Sequence, residues 1–508
     1  MKKIIGIVSL LWITCISSQE PAIEWQKCLG GTDRERGKSI KQTTDGGYIT
    51  IGDTDSNDGD VSGNHSTFED AWVVKQSSSG EIEWQKCLGG TYLEYGSEIT
   101  QTTDEGYIVS ISSYSNDGDV TGNHGSSDFW IVKLSSLGEI EWQKSLGGSA
   151  DDEARSIIQT VDEGYIIVGH TSSNDGDVSG NHGAYDGWVV KLSSTGEIEW
   201  QKCLGGSSTE VLSSIKQTND DGYIVAGGTY SNDGDVYGNH GDIDFWVVKL
   251  TSLGDIEWQK CLGGTEYEIA FSMDLANDGG YIVSGGSLSN DGDVSGNHGF
   301  VDAWVVKLSS AGAIEWQKAL GGSDQEYAYS IVHSTDNGYI LAGLTASNDG
   351  DVSGNHGGQS DIWIVKLSST GEFEWQKCLG GTSHETAYSI KQIDEGVYIL
   401  AGNTFSNNGD VSGNHGDADF WVVKLSGILN AEEFSLEKDV SLFPNPVKNY
   451  LNIETKGQIE SLRIYSLQGH LIKEVSTSRV DVSNLNTGLY FVQVLLDGKT
   501  ITKKFIKK

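Results

Sequence analysis

Residues 214–260 read SIKQTNDDGYIVAGGTYSNDGDVYGNHGDIDFWVVKLTSLGDIEWQK, and the hydrophobic pattern of this stretch divides it into four strands. Ser214–Gln217 is a short strand, Asn219-Asp220-Asp221-Gly222 is a turn, and Tyr223–Gly227 is a second strand; an Asp/Gly turn between two such runs predicts a hairpin. A long polar loop follows, then Asp244–Leu250, rich in β-branched and aromatic residues. After the turn Ser252-Leu253-Gly254, Ile256–Lys260 alternates apolar and polar side chains, as a half-exposed outer strand does.

Outward from this stretch the unit recurs every 58 or 59 residues, marked by Trp25, Trp84, Trp142, Trp200, Trp258, Trp316 and Trp375, each inside Glu-Trp-Gln-Lys. A unit of this size buries its apolar faces only against its neighbours. Seven units of four antiparallel strands predict an all-β fold, a seven-bladed β-propeller over residues 22–426. Fourteen of the fifteen tryptophans fall at two positions of the unit, and every copy has a tyrosine at the Tyr223 position; such aromatic stripes read as packing between blades.

The unit is similar to bacterial β-propeller repeats that run short strand, Asp-Gly turn, Tyr-rich strand, Asp-aromatic-Trp strand, Gly turn, Trp strand. That resemblance implies that the first strand is innermost and the last outermost. It also implies that Ile23–Lys27 is an orphan outer strand completing the blade formed by residues 388–425, closing the ring and removing its exposed edges.

Residues 1–18 carry Lys2-Lys3, an apolar run from Ile4 to Ile16 and then Ser17-Ser18, the layout of a secretory signal peptide. Trp12-Ile13-Thr14 before Cys15 lacks the small and aliphatic residues of a lipidation site, which weighs against anchoring there. No later segment offers the roughly 20 apolar residues of a membrane-spanning helix. Five of the six cysteines (Cys28, Cys87, Cys203, Cys261, Cys378) occupy one repeat position, so a ring keeps them beyond disulfide reach and they read as small buried hydrophobes. The net charge is −38, none of it from the tail, which argues against a nucleic-acid partner and for cations or simple solubility.

The loop between strands two and three carries Ser-Asn-Asp-Gly-Asp-Val-Ser-Gly-Asn-His, as at Ser56–His65, and should share one rim with the loop entering the next blade. That rim gathers the first Asp of the loop (Asp58, Asp117, Asp175, Asp233, Asp291, Asp349) and the second (Asp60, Asp119, Asp177, Asp235, Asp293, Asp351, Asp410). To these it adds the Asp two residues before the strand-three Trp (Asp70, Asp128, Asp186, Asp244, Asp302, Asp361, Asp419) and a Glu in the inter-blade loop (Glu35, Glu94, Glu153, Glu210, Glu268, Glu326, Glu385). Carboxylates at that density repel unless cations or donors intervene. Two readings stay open: calcium ligation by the aspartates, as hard cations take oxygen ligands, or Asx-turns in which the side chains accept nearby N–H groups. The run lacks the first-position acid and terminal Glu of an EF-hand loop. The histidine closing each loop, as His65, has no second His or Cys close by in sequence for zinc.

Past a linker at 427–440, residues 441–508 change composition to short alternating strands, enough for a small Ig-like β-sandwich. Pro444-Asn445-Pro446, then Ile464-Tyr465-x-Leu467-x-Gly469, then Leu485-x-x-Gly488-x-Tyr490 and the basic end with Lys504-Phe505 occur in order. This segment resembles the C-terminal sorting domain of type IX secretion cargo. The resemblance implies export by the N-terminal signal, recognition of the tail at the outer membrane, its removal, and release or attachment at the cell surface.

For the propeller itself three functions are weighed: a non-catalytic binding module for a glycan or protein, a secreted carbohydrate-active enzyme with its site at the propeller mouth, and a structural surface component. Enzymes need differentiated groups at one place. Nearly identical blades single out no acid, and where copies differ, as at Arg34, Arg36, Arg155 and His333, no catalytic spacing is evident. Binding is the expected activity, with no catalytic residues and calcium as the candidate cofactor.

Overall fold

The computed structural model describes residues 20–427, 440–455, 459–466, 471–475, 477–496 and 499–508, in two compact units divided between Ser426 and Gly427. The expected signal peptide, most of the linker and Gly469 lie outside the described residues.

The first unit is a seven-bladed propeller of four-stranded antiparallel sheets with strands ordered from the inside outwards. Blade one comprises Glu35–Gln42, Tyr48–Thr54, Asp70–Gln76 and Ile82–Leu88. The seventh sheet runs Glu385–Asp394, Val397–Thr404, Asp419–Ser426 and then Ala22–Leu29, so the first strand of the chain is the outer strand of the last blade. One backbone hydrogen bond crosses each junction at the same place, from Glu94 N–H to Glu69 C=O and so on round the ring to Glu35 N–H and Ala418 C=O, 2.6 Å, at the closure.

The innermost strand is four residues longer at its start than the pattern predicts, beginning at Glu210 in blade four. Its first half carries few apolar residues because it faces a channel. A register shift after its third residue, as between Gly37 and Ser39, recurs in all seven blades. The bulge turns the strand so that both halves present side chains to the axis.

Packing lies between blades. Trp72, Trp130, Trp188, Trp246, Trp304, Trp363 and Trp421 are fully buried, and each indole N–H donates to a Gln on the outer strand, Trp421 to Gln26 across the closure at 2.8 Å. The outer tryptophans meet the next blade's tyrosine edge-on, as Trp25 meets Tyr48 at 5.8 Å. Gly80, in a left-handed turn at φ 81°, lies so close to the Trp25 ring that no side chain fits there. The five described cysteines are buried free thiols; burial pushes Cys28 and Cys203 up to about 12, far from the reactive range.

The second unit holds two sheets, one of Val440–Phe443, Tyr450–Thr455 and Arg479–Asp481, the other ordered Leu471–Val475, Ile459–Tyr465, Gly488–Leu496, Lys499–Lys507. Leu451, Leu462, Ile464, Val492, Val494 and Phe505 form their common core.

Candidate functional site

Two regions carry chemistry: the acidic rim anticipated above and the central channel. At the rim the aspartates act on the backbone. Asp58 accepts from Thr32 N–H at 2.8 Å and Thr32 Oγ1 at 3.0 Å, and Asp117, Asp175, Asp233 and Asp291 hold the matching pair of donors in the next four blades; Asp349 accepts from Ser323 N–H. In blade seven Asn408 does the same work, accepting from Thr382 N–H at 2.9 Å, so the position needs an acceptor and not a charge. The second aspartate accepts from the inter-blade glycine, Asp60 from Gly30 N–H at 3.3 Å; Asp177, Asp235, Asp293, Asp351 and Asp410 do likewise, while Asp119 faces His65 Nε2 at 3.7 Å across a blade junction.

The third aspartate is buried in every blade. Asp70, Asp128, Asp186, Asp244, Asp302, Asp361 and Asp419 each bind the ring Nδ1 of the loop histidine at 2.5–2.7 Å. Burial lifts Asp70 and its six counterparts above the ordinary range, opposed by the histidine. The hydrogen bond to Asp186 in turn raises His182. In six blades the remaining Oδ1 is buried without a protein donor among the described residues. A Cβ placed on Gly89 would meet both Asp70 Oδ1 and Glu94 Oε2, so two carboxylates of adjacent blades share that cradle.

The inter-blade acid of blade three needs correcting. Asp152, not Glu153, opens the innermost strand, donating its N–H to Ser127 C=O and accepting from Gly148 N–H at 2.7 Å as Glu94 does from Gly90. Burial raises Asp152 to about 6. Calcium takes six to eight oxygens; at each junction the structure draws together two carboxylates, and among the described residues no three His, Cys, Asp or Glu are grouped to hold a metal.

The channel is where the blades differ, and the sequence reading passed it over. Four positions of the innermost strand face it, at one, three, four and six residues past the opening acid. Blades one to three contribute Arg36, Lys38, Tyr95, Glu153 and Arg155; blades five to seven contribute Ile269, Phe271, Tyr329 and Tyr388. Together with Asp53 and Ser112 they line a mouth cavity of about 430 Å³. Two of the propeller's three arginines are here, in a unit that is otherwise strongly acidic. Arg36 bridges Glu69 at 2.5 Å and Asp53 at 3.4 Å, and Arg155 pairs with Glu153 at 3.1 Å. Lys38 lies 3.9 Å over the Tyr388 ring, a cation–π contact. Tyr329 packs on Phe271 at 4.8 Å and on Tyr388 at 5.3 Å, making an aromatic wall opposite the charged one. Burial raises Asp53 to about 6, against the pull of Lys38 and Arg36, and burial with the Arg155 charge lowers His170 to about 3.

Deeper, the channel narrows to a cavity of about 130 Å³ lined by Lys41, Glu98, Lys216 and Lys391 with serines from most blades. Glu98 receives Lys41 at 2.8 Å and Ile157 N–H at 3.2 Å. Although burial opposes its charge, Lys41 and Lys216 hold it down at about 2. The signal for all of this was in the sequence, as variation at these axis-facing positions of the repeating strand.

In the second unit, Asn445 of the Pro444-Asn445-Pro446 run clamps the last strand, donating to Lys504 C=O at 3.3 Å and accepting from Ile506 N–H at 2.9 Å. Phe505 is fully buried and stacks on Tyr490 at 5.6 Å, whose hydroxyl donates to Asn486 C=O. Gly488 opens the strand that pairs with it.

The molecule is thus an all-β propeller joined to a small two-sheet unit. Residues 441–508 match the family of secretion system C-terminal sorting domains, and the chain is cargo of the type IX secretion system, carrying the segment by which that machinery recognises what it exports to the cell surface or beyond. The regulatory protein FlaEY of Caulobacter vibrioides is 23% identical over 170 residues, 30% of this chain and 18% of that protein's length. Among solved structures, the Pan2 WD40 domain of Neurospora crassa is similar with a TM-score of 0.44 and 10% identity, covering 81% of this chain and 96% of that one. YCF48 bound to D1 peptide gives 0.44 and 9%, covering 81% and 99%. No described helix is long and apolar enough to cross a membrane.

Proposed function

We propose that the propeller is a non-catalytic binding module, delivered by the type IX pathway, whose ligand enters the wide mouth of the channel. The observation that carries this reading is the distribution of difference: the seven blades repeat their rim, turns and outer strands, yet diverge at the positions facing the axis. A scaffold role alone gives no reason for a charged wall facing an aromatic one. A cavity of about 430 Å³ lies within the range of small-ligand sites, and rings stacked on Tyr329 and Tyr388, such as sugars, suit the aromatic side. Calorimetry on the purified exported protein against soluble oligosaccharides and small organic acids tests this. Binding abolished by Tyr388→Ala and Arg155→Ala supports the mouth as the site; binding untouched by both overturns it.

One observation favours the second reading, a carbohydrate-active enzyme: Asp53, raised to about 6, lines the same cavity as Glu153. Against it, Asp53 Oδ1 accepts from Gly96 N–H at 3.0 Å and Oδ2 faces Arg36, while Glu153 is held by Arg155, so neither acid is free to work on a substrate. Hydrolysis of a polysaccharide that disappears in Asp53→Asn would establish the enzyme instead.

A further inference from the structure

Below the mouth the channel is lined mainly by serine hydroxyls and basic side chains, with Glu98 its one carboxylate. Ser272, Ser330 and Ser389, on three consecutive blades, each accept a backbone N–H from the blade that follows: Ile331 to Ser272 at 3.2 Å, Ile390 to Ser330 at 3.2 Å, Ile40 to Ser389 at 3.4 Å. Each oxygen thus accepts one N–H, and among the described residues none of the three hydroxyl protons has a protein acceptor. These protons are left to donate into the channel.

Besides Lys38, which this tier shares with the mouth, three lysines line the space. Lys41 is neutralised by Glu98, and Lys216 has Asp274 at 3.9 Å, an acid already accepting His333 N–H at 2.9 Å. Lys391 has neither ion pair nor hydrogen bond among the described residues, and desolvation, followed by the charges of Lys41 and Lys216, lowers it well below the usual lysine range, so a counter-charge is what would hold its proton. Lys38, Lys41, Arg155, Lys216 and Lys391 line this tier against a single lining carboxylate, Glu98, with Asp274 beside Lys216. A recessed cation of this kind is costly without a counter-charge, and each neighbouring group that could supply one is already engaged. The cavity, about 130 Å³, admits a group the size of a tetrahedral or planar oxyanion.

We propose that this narrow tier is an oxyanion site, in which Lys391 and Lys216 provide the charge and the hydroxyls of Ser272, Ser330 and Ser389 the directed donors, for a sulfate, phosphate or carboxylate group. The site goes beyond ligand binding at the mouth and stands without it, although both cavities share Lys38, Arg155, Phe271, Tyr329 and Tyr388 and are continuous. The anion is therefore either a free inorganic ion or the charged end of a ligand whose ring stacks above.

The test is calorimetric titration of the purified full chain with sulfate, phosphate and acetate at low ionic strength, with Lys391→Met and Ser330→Ala in parallel. Saturable binding of at least one anion is expected, weakened at least tenfold by Lys391→Met and several-fold by Ser330→Ala. Because Lys391→Met removes a recessed amine that has no partner among the described residues, its melting temperature is expected to equal or exceed that of the unaltered protein, which separates loss of binding from unfolding. A sulfated monosaccharide that binds more tightly than sulfate, with the difference erased by Tyr388→Ala, identifies the charged end of a mouth ligand; equal affinities identify the free ion. No saturable binding of any of the three anions, or undiminished binding to Lys391→Met, overturns the proposal, and neither result bears on ligands of the upper cavity.

Discussion

Asp53→Asn tests the electrostatics of the channel mouth more directly than any other change. Asp53 is 2% exposed, yet it sits beside Arg36 and Lys38, so two forces compete over its proton: burial, which favours the neutral acid, and the two cations, which favour the carboxylate. Burial prevails, and the group rises from 3.8 to about 6. A shift of that size is worth about 3 kcal/mol, at 1.36 kcal/mol per pH unit. Its sign follows from linkage. Between the two values the folded protein holds a proton that the unfolded chain has released, so Asp53 contributes its stabilisation below pH 3.8 and loses it as the pH rises through 6.

Asparagine is a fair replacement, since Asn403 occupies the matching place in blade seven and is buried there. Guanidinium unfolding of both proteins at half-unit steps from pH 4 to 8 gives the difference in stability as a function of pH, and subtraction removes the titration of all other groups. The unaltered protein is expected to lose about 2.5 kcal/mol relative to Asp53→Asn over that interval, most of it between pH 4 and 6. A flat difference, or one that grows in favour of the unaltered protein as the pH rises, refutes the reasoning and shows that Arg36 and Lys38 hold Asp53 as a carboxylate.

Other expectations follow from single observations. Lys307 is 2% exposed and bonds Asp278, Glu315 and Leu308 C=O at 2.8, 2.8 and 3.2 Å. Lys307→Met, which frees two half-exposed carboxylates to water, should change stability by no more than about 1 kcal/mol, whereas Asp278→Asn with Glu315→Gln strands the ammonium and should cost about 3 kcal/mol in denaturant unfolding. Melting temperatures in chelator and in millimolar calcium are expected to agree, because the loop aspartates already accept N–H and hydroxyl donors; a rise of several degrees with calcium would instead put an ion between Asp70 and Glu94. Removal of residues 441–508 should leave the propeller in the periplasm by cell fractionation, and undiminished secretion would sink the sorting role of the tail.

The architecture was legible because a propeller writes itself into sequence several times over. Period, strand pattern, turn residues and the orphan strand at Trp25 all agree, and the closure of Ala22–Leu29 onto Asp419–Ser426 follows from counting strands. The innermost strand extends further than its sequence pattern suggests for a physical reason: its opening half faces the central channel and lacks the apolar alternation that marks the others. Glu153 was mistaken for the junction acid because Asp151-Asp152-Glu153 offers three acids in a row, and only the backbone bond from Asp152 to Ser127 picks the one in register. At the rim, counting charges exposed the crowding of carboxylates but not their donors, which are backbone N–H groups and carry no sequence signature. Asn408 in the place of an aspartate was the available hint that acceptance mattered there more than charge.

Sevenfold repetition was taken as evidence against a differentiated site, and the channel shows why that inference was incomplete. In a ring, groups on the outer strands are held some distance apart, so sameness there produces seven equivalent, separate places. Groups on the innermost strands converge on one axis, so a difference of a single residue per blade is enough to assemble an asymmetric cavity: arginine and lysine from blades one and three, phenylalanine and tyrosine from blades five to seven, lysine again from blades four and seven below. The latches that keep the ring closed, from the Asp–His pairs to the Trp–Gln bonds, do not touch these positions. The scaffold can therefore stay uniform while the axis changes, and substitutions at Arg36, Lys38, Arg155, Tyr329, Tyr388 and Lys391 should alter what is bound far more than whether the propeller folds.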